Sequence, residues 1–149
     1  MTYRIDIQNV CNEKLIVKPK TLKSWIKLTL QTYIKTAALT LRIVNIDEIV
    51  FLNTYYRNKN KPTNVLAFPS QIPEEIKEHY PLLGDVVICP AVLYKESLDQ
   101  KIPIKVHWAH IVIHGVLHLL GFDHIQDADA AIMQRQEQHL LRIVVDTLS

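Results

Sequence analysis

The chain reads as a single α/β (α+β) domain, a four-stranded mixed sheet flanked by about five helices. Short runs of alternating apolar residues are separated by longer runs at the three-and-four spacing of helices, and proline or glycine marks most of the joins. With 149 residues, 48% hydrophobic content and only three glycines, the chain suits one compact core, and it shows no linker or internal repeat.

Arg4 to Gln8 alternates polar residues with Ile5 and Ile7, the pattern of a half-buried strand. Leu22, Trp25, Ile26, Thr29, Leu30, Tyr33 and Ile34 then follow helical spacing, with Thr21 as the expected N-cap and Trp25 and Tyr33 in the core. Leu39, Leu41 and Ile43 alternate with Thr40 and Arg42 in a second strand. Asp47 is positioned to cap a short helix that carries Ile49, Leu52 and Tyr56; Tyr55 and Tyr56, next to Arg57, read first as anchors of this helix and alternatively as rings that stack on bases. Val65 to Phe68 reads as the third strand. Pro69, Pro73 and Pro81 punctuate a connection ending at Gly84, after which Asp85 to Cys89 forms a dense apolar fourth strand. Pro90 suits the first position of a helix from about Ala91 to Asp99. A helix from about Lys105 to Leu120 and a last one beginning near Asp127 complete the chain. The first two strands, with a helix between them, are expected to pair parallel and right-handed, and the hairpin-like third and fourth make the sheet mixed.

Composition excludes some classes of function. The longest apolar runs are too short to cross a bilayer, and the start Met-Thr-Tyr-Arg-Ile-Asp lacks the apolar core of a signal peptide. Cys11 and Cys89 have no paired neighbours, which suits a reducing compartment. The expectation is a cytoplasmic protein with no membrane partner. The overall charge of +2 hides an asymmetry: residues 1–64 hold eight Lys and three Arg against two Asp and two Glu, net +7, whereas residues 65–149 are net −5. Such a basic half attracts a polyanion, with binding weakened by salt.

The segment His114-Gly115-Val116-Leu117-His118-Leu119-Leu120-Gly121-Phe122-Asp123-His124 carries the most specific chemistry. Four residues apart on a helix, His114 and His118 project from one face. Gly121 offers a residue that tolerates positive φ, ending the helix and turning His124 back toward them. Three imidazoles describe a zinc-like site with an open coordination position, and so a place for chemistry on water; nickel, cobalt or iron also accept imidazole. His79 and His139 fit ordinary surface histidines. His107 and His110 share the helix, and His110 with His114 makes an alternative ligand pair at the same spacing. A closed structural site with Cys89 as a fourth ligand is a further alternative.

The spacing H-x-x-x-H-x-x-G-x-x-H is that of the metzincin proteases, but Gly115 stands where they place the glutamate that accepts a proton from water. Peptide hydrolysis therefore lacks its usual base. A phosphodiester, which brings its own anionic oxygens, fits better, and it requires cations nearby. Arg57-Asn58-Lys59-Asn60-Lys61-Pro62-Thr63-Asn64 supplies three positive charges and no acid. Arg57 is the first candidate to grip phosphate, because a guanidinium pairs bidentately with it and stays charged; Lys59 and Lys61 would hold flanking backbone. Asp85 reads either as a turn residue or as a carboxylate orienting an imidazole, and Asp123 has the same two readings with proton transfer as a third.

Leu52-Asn53-Thr54-Tyr55-Tyr56-Arg57, Pro62 through Pro69, Leu83 through Cys89 and the His114–His124 motif together resemble the bacterial YbeY family, strongly over residues 50–125. The resemblance implies a zinc-dependent, single-strand-specific endoribonuclease. It would act in ribosomal RNA processing, notably at the 3′ end of the small-subunit (16S) RNA, and in ribosome biogenesis and quality control. It implies a four-stranded mixed sheet flanked by helices, one zinc ion on His114, His118 and His124, and a functional arginine at Arg57. The expected partners are single-stranded regions of ribosomal RNA and the small ribosomal subunit, with no DNA. Ala67 departs from the serine common in the family, so no hydroxyl acts from that position. The rival readings are a ribosome assembly factor with a structural metal, and a metalloprotease.

Overall fold

The computed structural model describes residues 2–76, 81–122 and 126–148. Four strands form one sheet in the order β1 (Thr2–Asn9), β2 (Thr36–Ile43), β4 (Leu82–Ile88), β3 (Val65–Pro69). β1 and β4 both run parallel to β2, and β3 runs antiparallel to β4, so the sheet is mixed as expected. The helices are α1 (Pro19–Gln31), α2 (Ile46–Arg57), α3 (Pro90–Gln100), α4 (Ile104–Leu119) and α5 (Asp127–Leu148), and a short 3₁₀ turn spans Glu74–Ile76.

Alternation in β2 sends Ala37, Leu39, Leu41 and Ile43 to one face, where they join Val86 and Ile88 of β4 beneath α1, α4 and α5. The opposite face carries a smaller core of Val44, Ile49, Leu66, Val87 and Cys89 under α2. α4 is apolar around most of its circumference because it is enclosed: Trp108, Val112, Ile113, Val116 and Leu117 are all buried. Its approach to the sheet is set by Gly115, where a Cβ would stand 2.6 Å from Val86 Cγ1 and 3.3 Å from Val65 Cγ2. The residue that removes the protease base is thus the one that lets the helix lie on β3 and β4.

The ends of several elements differ from expectation, each for a local reason. α1 begins at Pro19 rather than after Thr21, since proline is preorganised for the first helical turn. It stops at Gln31, and the amides of Tyr33 and Ile34 both bond to the Leu30 carbonyl. Tyr33 nevertheless packs edge-on against Phe122 and donates its hydroxyl hydrogen to Gln136. Asn45, not Asp47, occupies the N-cap of α2, and its side-chain oxygen accepts from Cys11 Sγ and the Asn12 amide instead of capping. Tyr55 does not anchor α2; it is 71% exposed. Gly84 lies inside β4 rather than ahead of it. With φ +136 and only 2.1 Å between its would-be Cβ and the Phe68 carbonyl oxygen, no other residue fits there without a shift. The β2–β4 register also slips between Ala38 and Leu39, admitting one extra residue on β4.

Candidate active site

α4 carries His107, His110, His114 and His118 in one line, and the structure separates their roles. His107 is buried, with its Nε2 2.9 Å from Glu96, whose carboxylate also accepts from Asn64 Nδ2. The Nε2 of His110 lies 3.0 Å from Glu137. The Nε2 atoms of His114 and His118 face one another at 3.1 Å. Two ligands of a tetrahedral zinc site, each about 2.0–2.1 Å from the ion, have their nitrogens roughly 3.3 Å apart. The His114–His118 pair therefore fits two positions of such a site, whereas the His110 nitrogen is directed at a carboxylate.

Gly121 closes α4 as its sequence suggests. It has φ +101, its amide donates to His118, and the Phe122 amide donates to Leu117, the two bonds of a Schellman motif. The chain leaves α4 at this point, but His124 and Asp123 lie outside the described residues, as does His79. Among the described residues, no three His, Cys, Asp or Glu side chains are grouped as a metal site would need. Cys89 is buried in the smaller core, on the side of the sheet away from α4. Burial pushes its thiol pKa up. His139 is exposed on α5, as an ordinary surface histidine.

The residue that sequence reading missed is Glu137. It comes from α5, is only 8% exposed, and its carboxylate bridges His110 Nε2 and His114 Nδ1. Burial alone would raise this carboxyl, but the hydrogen bonds and charge of His110 and His114 outweigh it, lowering the pKa to about 2. An ionised carboxylate only accepts, so His114 Nδ1 donates to Glu137, and in the neutral ring this leaves Nε2, the atom facing His118, as the one with a lone pair. A signal for it was present: Met133, Glu137, Leu140 and Val144 share the buried stripe of α5, and a lone acid in that register demands a partner.

His114, Gly115 and His118 floor a cleft of about 520 Å³ whose walls are Tyr56 and Arg57 from α2, Thr63 and Asn64, and Val65 to Phe68 of β3. The cleft runs along the edge strand. Among its described lining residues Arg57 is the single cation, and none is a carboxylate. Arg57 closes α2, and Asn58 reverses the chain with φ +57, a conformation asparagine tolerates. Asn53, 1% exposed, holds the following turn by donating to the Lys61 carbonyl, 2.9 Å away. Lys59 and Lys61 are exposed on that turn and do not line the cleft. Asp85 does not meet the histidines; it lines a separate cleft with Arg42, Glu48 and Val87 on the α2 side of the sheet. The carboxylate that orients an imidazole is Glu137 instead.

Comparison with known proteins identifies the family. The family model for endoribonuclease YbeY matches residues 6–144. The chain belongs to the YbeY family. The endoribonuclease YbeY of Legionella pneumophila strain Philadelphia 1 is 50% identical over 141 residues, 95% of this chain and 89% of that protein. Its counterpart from Blochmanniella pennsylvanica is 45% identical over 139 residues, 93% of this chain and 87% of that protein. The solution structure of TM1509 from Thermotoga maritima superimposes with a TM-score of 0.63 at 26% identity, covering 93% of this chain and 86% of that one. YbeY proteins are named for nuclease activity, and the chain is accordingly an enzyme, a hydrolase of phosphodiester bonds.

Proposed function

We propose that the protein is a zinc-dependent, single-strand-specific endoribonuclease of the cytoplasm. In this reading it acts in ribosomal RNA processing, notably 3′-end maturation of the small-subunit (16S) RNA, and in ribosome biogenesis and quality control. The observation that carries the reading is the His114–His118 pair, with nitrogens 3.1 Å apart, in a cleft shared with Arg57. His114 and His118 would hold the metal, with His124 as the third ligand that the family resemblance implies. Zinc bound there supplies Lewis acidity toward a phosphoryl oxygen and an acidified water.

The chain's own groups do the rest. Glu137 keeps the His114 proton on Nδ1 and so keeps Nε2 available. Arg57 pairs with the scissile phosphate and offsets the charge that develops on it. Lys59 and Lys61, on the turn beside the cleft mouth, position the flanking backbone of the RNA. Gly115, standing where a metalloprotease has its glutamate, favours an anionic substrate over a peptide.

The test is a purified-protein assay on a small-subunit RNA precursor and on casein, with elemental analysis of the same sample. Cleavage of RNA alone, with about one zinc per chain, is expected from the three-histidine site. His114→Ala should abolish cleavage through loss of metal, and Arg57→Glu should abolish it with the metal retained. Cleavage by metal-free His114→Ala protein would overturn the reading, and so would full ribosome maturation supported by an inactive variant.

A further inference from the structure

α2 carries a line of aromatic rings on the outside of the molecule. Phe51 and Tyr55, one helical turn apart, are 64% and 71% exposed, and their rings lie 6.1 Å apart at only 16°. Tyr55 meets Tyr56 edge-on at 4.8 Å, and Tyr56, itself 60% exposed, meets Phe68 of β3 at 4.9 Å. Tyr56 and Phe68 are also walls of the cleft that holds His114 and His118. The rings therefore continue from the candidate active site outward along the helix. Large aromatics left mostly in water contribute little to the core, and a contiguous exposed patch of them marks a binding surface.

The charges beside the rings indicate what they bind. The turn after Asn58 folds back along α2, tied by Asn53 to the Lys61 carbonyl and by contact of Thr54 Oγ1 with the Lys59 carbonyl. This holds the segment bearing Lys59 and Lys61 against the flank of α2 that carries Asn53 and Thr54, and Arg57 follows Tyr56 directly in the chain. No Asp or Glu occurs between residues 49 and 73. Cations tracking a backbone beside rings that accept any base are the pattern of single-strand recognition. A duplex keeps its base faces stacked on one another and cannot offer them to a protein ring.

We propose that Phe51, Tyr55 and Tyr56 form a stacking platform for unpaired nucleobases of the RNA strand as it leaves the cleft, with Arg57, Lys59 and Lys61 following its phosphates. The platform rests on the endoribonuclease reading and adds the origin of its selectivity for single strands. Rings of this kind stack without hydrogen-bond readout, so the flanking sequence is bound tolerantly.

The test measures equilibrium binding of the zinc-loaded full chain to a cleavage-resistant single-stranded oligoribonucleotide analogue carrying 2-aminopurine, and to its duplex, with cleavage of the unmodified strand read in parallel. Stacking should quench the fluorophore on the wild-type protein. The double variant Phe51→Ala with Tyr55→Ala should bind the single strand about tenfold or more weakly and lose the quenching. Its salt dependence, duplex affinity and melting temperature should remain those of the wild type. Tyr55→Phe should retain affinity, since the ring and not the hydroxyl acts. Unchanged single-strand affinity in the double variant overturns the platform, including the case in which that variant instead loses a ribosomal protein partner. Equal weakening on single strand and duplex overturns it as well. A wild-type protein that neither binds nor cuts RNA removes the underlying reading itself, an outcome distinct from failure of the platform alone.

Discussion

Glu137 shows how one side chain on a distant helix can govern the chemistry of another. Its carboxylate accepts from His110 and His114 together, which fixes the tautomer of the ring that faces His118. Outer hydrogen-bond partners of this kind are typically worth about 10–100-fold in metal affinity. Glu137→Ala should therefore weaken zinc binding by that order, measured by competition with a chromophoric chelator. Glu137→Gln keeps an oxygen that can accept from Nδ1 and should lose less. Equal affinity for zinc in Glu137→Ala and wild-type protein would contradict the role. Gly115 gives a second test. A methyl group there meets Val86 at 2.6 Å, within a well-packed layer. Gly115→Ala should lower the unfolding free energy in urea by about 1–3 kcal/mol, the usual cost of overpacking. Both roles depend on contacts between residues far apart in sequence, 23 positions for His114 and Glu137. The histidine spacing was legible because it is local, whereas Glu137 was legible only as a lone acid on an apolar stripe, its partners becoming visible once α5 packs on α4.

At the scale of elements, periodicity located all four strands and all five helices, whereas their ends answered to smaller forces. Pro19 displaced Thr21 at the start of α1, and Asn45 gave its side chain to the Cys11–Asn12 segment rather than to its own helix. The order of strands was not legible, because inserting β4 between β2 and β3 is a non-local pairing that no single segment encodes. Gly84 was read as punctuation and proved to be the one residue that lets β3 press against β4 at an irregularity. α2 combines legible and hidden features. Its basic extension was evident, but the buried Asn53 that holds the extension in place was not. Asn53→Ala removes that hydrogen bond and should cost about 0.5–1.5 kcal/mol in urea unfolding, the usual net worth of one hydrogen bond. RNA cleavage should fall as well, since the turn bearing Lys59 and Lys61 loses its tie. Wild-type stability in this variant would show that the turn holds itself.

At the scale of the molecule, charge asymmetry and topology act together. Eleven of the seventeen Lys and Arg lie in residues 1–64, and among the described residues Arg57 lines the cleft, with Lys59 and Lys61 on the turn that follows it. For single-stranded nucleic acid, each neutralised phosphate contributes about −0.7 to the slope of log affinity against log salt, so three contacts predict a slope of roughly −2. Titration of RNA binding across salt concentrations checks this, and Lys59→Ala with Lys61→Ala should flatten the slope by about 1.4. A flat profile in the wild type would mean that these cations do not meet the backbone.

The sheet leaves β3 at its margin, and the cleft runs beside that margin. A strand with unpaired amides and carbonyls is ordinarily an invitation to cross-β association. Here it extends over only five residues and ends in Pro69, with Pro62 shortly before it, and proline offers no amide to an incoming strand. The border that must stay open for a nucleic acid is thereby a poor template for another copy of the chain, so access to substrate and resistance to clumping come from the same short segment.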